Sequence, residues 1–259
     1  MSTNNPINVN GASPAPTTDE KPVFFFDIDN CLYSRSYKIH DLMKTLITDY
    51  FTRELSLPKE NAEHLHLTYY RSYGLAIEGL VRHHSIDPLD YNTQVDDALP
   101  LEQVFTEPDL KLREFLLELK KKNNCRLWLF TNAYINHARR VIKLLGLGPI
   151  GTDEDCIFEG VTFCDYGKIG TLANGEGELI CKPKGAMFRK AMEEAGIKDV
   201  SKCYFVDDSY INCSGAVQSG WTHTAHLLEP EDPLPKVPAA PHVIRSLYEL
   251  KDVFPELWK

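Results

Sequence analysis

Three helical stretches of this chain each stop at a glycine, and each lies between two short apolar runs. Residues 137–145 end at Gly146, residues 186–195 at Gly196, and residues 212–219 at Gly220. Glycine just past a helix supplies the left-handed stop that other residues adopt only at a cost. The apolar runs are residues 23–26, 127–130, 161–163, 204–206 and roughly 224–228. Strand, helix, glycine, strand, repeated, is the pattern of an α/β fold built on a Rossmann-like parallel sheet. Residues 229–241 hold five prolines in thirteen positions, which forbids regular helix or central strand. They predict a loop leading to a last short strand and helix over 242–254.

Residues 34–108 break this rhythm. They contain no convincing strand, and Ile39, Leu42, Met43, Leu46, Ile47, Tyr50 and Phe51 follow helical spacing. A second helical stretch is expected over 59–83. The segment reads as a small all-helical cap inserted directly after the first strand. The α/β core is then assembled from residues 21–33 and 109–259, re-entered through a helix over 110–122. Residues 1–20, polar and rich in Pro, Ser, Thr and Asn, read as a disordered tail without the apolar centre of a signal peptide.

Composition narrows the function. A formal net charge of -9 argues against a nucleic-acid polymer as the main partner, while a locally positive pocket still accommodates a small anion. No apolar run approaches the ~18 residues of a membrane span. Seven cysteines without a CxxC pair, in a chain of 259 residues, point to reduced thiols and a cytoplasmic or nuclear location. Nothing in the pattern specifies an oligomeric state.

The first strand runs straight into carboxylates, as VFFFDID, with Asp27 and Asp29 one residue apart. Burying a carboxylate costs several kcal/mol unless a cation or hydrogen bonds compensate it, on the order of the penalty for an unpaired ion. Three other places put chemically capable groups directly after a strand or at a helix start: Thr131-Asn132, Lys182-Pro183 and Asp207-Asp208-Ser209. All strands of a parallel sheet end at the same edge, so these groups converge at the usual ligand crevice. A hard divalent cation suits such an acid cluster, because Mg²⁺ takes a few carboxylate or carbonyl oxygens and completes its shell with water and phosphate. An ionised, oriented Asp27 beside it is a nucleophile candidate.

In this order and on these strand ends, DxD, Thr-Asn, Lys-Pro and DD resemble the haloacid dehalogenase-like phosphohydrolases, over nearly the whole chain after residue 20. More narrowly, DIDNCLY, WLFTNAY, CDY, CKP, YFVDDS and the stretch YYRSYGLAIEGL are similar to the fungal pyrimidine 5′-nucleotidases. The resemblance implies a Mg²⁺-dependent phosphomonoesterase acting on a small nucleotide such as UMP or CMP. Asp27 would be the nucleophile. Asp29 would be the acid and base, touching Mg²⁺ through its carbonyl. Lys182 would stabilise the transferring charge, and Thr131 with the Asn132 amide would hold phosphate. Asp207 would ligate the metal, with Asp208 doing so through water or positioning a neighbour. An acid at Asp29 favours a phosphatase over a dehalogenase, since an alkoxide leaving group benefits from a proton donor. Lysophospholipid, nicotinamide mononucleotide and sugar phosphate are alternative substrates; a mutase or a non-catalytic regulator are alternative roles.

In the helical segment, Arg71 and Tyr73 are the residues expected to meet the substrate, alongside Tyr69 and Tyr70, with core packing the competing role for the aromatics. Gly74 and Gly79 would permit close approach of a ligand or another helix. Cys31 fits a buried small hydrophobe, and the nine histidines are expected as surface or satisfied core. The glycine-rich residues 167–180 suggest a mobile loop.

Overall fold

In the computed structural model, described over residues 20–122, 125–168 and 179–259, six strands form one sheet. They are β1 (Val23–Phe26), β2 (Arg126–Phe130), β3 (Gly160–Thr162), β4 (Cys203–Asp207), β5 (His223–Leu227) and β6 (His242–Ile244). Their spatial order is β3-β2-β1-β4-β5-β6, with every pairing parallel. The expected tail and most of the expected glycine-rich loop lie outside the described residues.

Both faces of the sheet are covered, which is why β1 and most of β2 and β4 run apolar rather than alternating. Phe24, Phe26, Leu127, Leu129 and Val206 face α6 (Leu110–Lys122), α7 (Ile135–Leu144) and the C-terminal α10 (Leu250–Val253). Phe25, Trp128, Phe130 and Phe205 face α8 (Gly185–Glu194) and α9 (Tyr210–Gln218). Burying a large apolar side chain contributes roughly 1.5–3 kcal/mol, and all four residues of β1 are fully buried. The three glycine stops hold: Gly146, Gly196 and Gly220 have φ of 71°, 64° and 88°.

Between β1 and α6 the chain is helical, as α1 (Ile39–Glu54), α2 (Lys59–Tyr73), α3 (Ala76–His84), α4 (Pro88–Gln94) and α5 (Leu101–Val104). The single stretch expected over 59–83 is in fact two helices. Gly74, at φ 87°, ends α2, and α3 folds back against it. Gly79 sits where the ring of Tyr69 crosses: a Cβ there would lie 2.2 Å from Tyr69 Cγ. The close approach this glycine permits is therefore to another helix. No helix among the described residues is long and apolar enough to cross a membrane.

A second glycine ties the fold to the sheet edge. Gly215 of α9 packs on the backbone of the loop before α8, where a Cβ would meet the Pro183 carbonyl oxygen at 2.5 Å and its Cβ at 2.7 Å. Gly215→Ala must displace that loop, at a cost of about 1–3 kcal/mol as for other overpacked sites. Calorimetry should show a lower melting temperature for the variant. An unchanged melting temperature would contradict the packing.

Candidate active site

The parallel register pairs Phe26 with Val206, which puts the next residues, Asp27 and Asp207, side by side at the carboxyl ends of β1 and β4. The ladder continues through Asp27, whose N–H donates to Val206 O at 3.1 Å. Here the order turns, since the chain crosses from β1 to β2 on one side and reaches β4 on the other; such a switch point is where α/β sheets bind ligands.

Lys182 fills the space between the two acids. Its Nζ donates to Asp27 Oδ1 at 2.7 Å, Asp207 Oδ2 at 2.6 Å and Phe130 O at 2.6 Å. All three ammonium protons are thus placed, and the rings of Phe130 and Phe205 lie 5.0 and 5.5 Å from the nitrogen. Burial alone would lower the Lys182 pKa, but the Asp207 and Asp27 charges outweigh it and push it up, so the ammonium stays charged. Asp27 is in the opposite position. Burial, then Asp207, drive its carboxyl well above the usual range, with Lys182 opposing them and Asp208 and Asp29 adding to the rise.

One oxygen from each of Asp27, Asp207 and Asp208 can lie within 4.8 Å of the others. Three carboxylates against one ammonium leave an excess of negative charge, and the donors are all oxygen. That set fits Mg²⁺. Asp207 is held for such a role: its Oδ1 accepts the Ser209 N–H at 2.8 Å and the Asn212 amide at 3.1 Å, at the positive end of α9. Burial and Asp207 raise the Asp208 carboxyl to about 7.

The Thr131 hydroxyl accepts the Ala133 N–H at 3.0 Å, capping the turn into α7 and keeping its own proton to donate. Asn132 uses its side chain on the protein. Its Oδ1 accepts the Lys182 N–H at 2.7 Å and its Nδ2 donates to Lys182 O at 2.9 Å. The Asn132 side chain is thus a clamp on the lysine loop, and only its backbone amide is left to face a ligand.

Asp29 has a partner that its place in the sequence does not suggest. His137 Nε2 lies 2.7 Å from Asp29 Oδ1, and Tyr33 donates its hydroxyl to the same oxygen. Burial would raise the Asp29 carboxyl, but the His137 charge and the two hydrogen bonds hold it below the usual range. His137 is fully buried on α7. The only sequence signal was a histidine at the start of a helix leaving the sheet edge.

From the helical segment, Tyr70 is the residue whose hydroxyl feels the site: burial, then Asp208 and Asp207, raise its pKa. The Tyr73 hydroxyl is engaged with His83 Nε2 at 2.7 Å, and Arg71 is exposed on α2. Two contacts tie this segment to the sheet edge. Buried Glu78 of α3 accepts from Lys184 at 3.3 Å, and Gly74 faces the Cys181 sulfur, 3.6 Å from where a Cβ would be. Cys31 is buried, as are the other six free cysteines.

Residues 21–220 match the family model of haloacid dehalogenase-like hydrolases. The chain belongs to that family. Among relatives, the Saccharomyces cerevisiae protein called phosphate metabolism protein 8 is 41% identical over 220 residues, covering 83% of this chain and 64% of its own length. This haloacid dehalogenase-like hydrolase therefore spans just under two thirds of that relative. A HAD phosphatase from Thermococcus onnurineus superimposes with a TM-score of 0.54 at 21% identity, over 91% of this chain and 98% of its own. CbbY from Rhodobacter sphaeroides, solved in complex with phosphate, gives 0.58 at 15% identity, over 89% and 96%. These two likenesses are of fold.

Behind His137, Asp96 is buried and its carboxyl is raised to about 7, by burial first, with Asp29 and Asp97 adding and His137 opposing. A carboxyl raised in the fold takes up its proton near pH 7, while the unfolded chain does so only near 3.8. The folded state therefore gains stability as pH falls from about 7 towards 4, and carries the full cost of the buried charge above 7. Asp96→Asn removes this titration. The melting temperature of the variant relative to the parent should be highest at pH 8 and decline towards pH 5. A difference independent of pH would contradict the burial of an ionisable Asp96.

Proposed function

We propose that this hydrolase is a Mg²⁺-dependent phosphomonoesterase that passes the phosphoryl group through Asp27 to water. A pyrimidine nucleoside 5′-monophosphate, UMP or CMP, is the substrate. The observation that carries the reading is the Lys182 ammonium held between Asp27 and Asp207, with Asp208 completing an oxygen cage. Phosphoryl transfer needs alignment and charge neutralisation more than covalent chemistry from the protein.

Asp27, Asp207 and Asp208 would hold Mg²⁺, with the Asp29 carbonyl as a further ligand; once bound, the ion supplies positive charge to the phosphate oxygens. Lys182 fixes Asp27 Oδ1, leaving Oδ2 as the attacking atom, and carries positive charge to the transferring group. The Thr131 proton and the Asn132 backbone amide donate to phosphate oxygens. Asp29, whose carboxyl is held below the usual range in the resting fold, takes up a proton from solvent, gives it to the departing ester oxygen and then takes one from the water that cleaves the aspartyl-phosphate. Residues 34–108 act as a cap that excludes water and selects the leaving group. On that cap Tyr73 and Tyr70 are the rings available to stack on the base, the Tyr73 hydroxyl being engaged with His83. Arg71 is the neighbouring cation available to a base carbonyl or phosphate. The pyrimidine preference rests on the motifs shared with fungal pyrimidine 5′-nucleotidases.

Phosphate release measured across UMP, CMP, AMP, glycerol phosphate, sugar phosphates, nicotinamide mononucleotide and lysophosphatidate tests this. Release should require Mg²⁺, favour UMP and CMP, and fall roughly 10³-fold or more in Asp27→Asn. Equal rates on AMP and glycerol phosphate would end the pyrimidine assignment, and no release from any ester would end the enzymatic one.

A further inference from the structure

A general acid works only when the oxygen bearing its proton lies within hydrogen-bond reach of the leaving atom. Asp29 sits in the turn after β1, next to Asn30, whose backbone is left-handed at φ 55°. Its carboxylate is not part of the Lys182 cluster, so its orientation must be set by other groups. Oδ1 takes both hydrogen bonds, from His137 and from Tyr33, while Oδ2 has no hydrogen-bond partner among the described residues. The two partners differ in what anchors them. Tyr33 lies four residues along the same loop, with its ring packed on Phe105 at 5.1 Å. His137 stands on α7, whose Ala138, Val141 and Ile142 are buried in the core. The next turn of α7 is gripped as well, since Arg140 donates to the carbonyls of Asp97 at 2.9 Å and Leu99 at 2.7 Å. His137 thus joins the loop carrying Asp29 to a rigid helix, at full burial and without an opening to the substrate.

We infer that His137 is a positioning residue for proton transfer to the leaving group: by holding Asp29 Oδ1, it turns Oδ2 towards the ester oxygen. This rests on the reading of Asp29 as general acid. A misplacement of about 1 Å is enough to cost on the order of 10²-fold in such a step.

The test uses kcat/KM, which reports the steps up to loss of the leaving group. Two substrates are compared: the best alkyl ester from the phosphate-release panel and p-nitrophenyl phosphate, whose phenolate departs without a proton. Asp29→Asn comes first. If it does not discriminate between the two substrates, the general-acid reading fails and this inference falls with it. Given that discrimination, His137→Leu should lose roughly 10–100-fold on the alkyl ester and less than about threefold on the aryl ester. His137→Gln, whose amide nitrogen reaches the Nε2 position, should restore most of the loss, and His137→Asn, which falls short, should not. The Gln and Asn pair carries the test alone should the Leu variant not fold. Equal losses on both substrates, or an Asn variant as active as Gln, would overturn the role of His137 while leaving that of Asp29 intact.

Discussion

A lysine ammonium buried between two aspartates is the interaction on which this molecule's arrangement depends. Removing either partner from such a group costs about 3–5 kcal/mol, because an uncompensated charge stays in a dry place. The fold therefore has to deliver all three together. Parallel register sets Asp27 beside Asp207, and the α8 loop brings Lys182 over Phe130 and Phe205. Asn132 locks the lysine backbone with two hydrogen bonds, and Gly215 lets α9 close on Pro183. The same cluster is unfinished as electrostatics. Three carboxylates face one cation, and burial together with that imbalance raises the Asp27 and Asp208 carboxyls.

The framework of the sheet was legible because the strands are buried on both faces and the intervening helices stop at glycines. The polar groups at the strand ends were legible for the same reason, since their place along the chain is their place along the edge. Where side chains turn was not. Asn132 lies at the edge as expected, yet its amide serves Lys182 instead of facing outward. His137 was expected as surface or satisfied core, because helical periodicity alone does not say which residue meets a loop 108 positions away. Apolar spacing continues through residues 59–83, so it gave no sign of the break at Gly74. Only the left-handed backbone there reverses the chain.

Hydrogen bonds from α7 and from the loop before α8 hold the helical segment between β1 and α6 to the core. Arg140 on α7 gathers the carbonyls of residues 97 and 99, while Lys184, two residues after Lys182, reaches buried Glu78. Tyr70 lies on the last turn of α2, which Gly74 ends. The carboxylates of the Lys182 cluster come from strand ends, and the helical segment contributes Tyr70, whose hydroxyl lies within the field of Asp208 and Asp207.

The central claim is that this cluster makes Asp27 an attacking group that carries the phosphoryl group. Quenching the protein during turnover and reducing it with borohydride converts an aspartyl-phosphate to homoserine, which peptide mass spectrometry locates. The account predicts homoserine at position 27, dependent on substrate and Mg²⁺. Sustained phosphate release with no reduced residue there, or with the modification on another side chain, would contradict it.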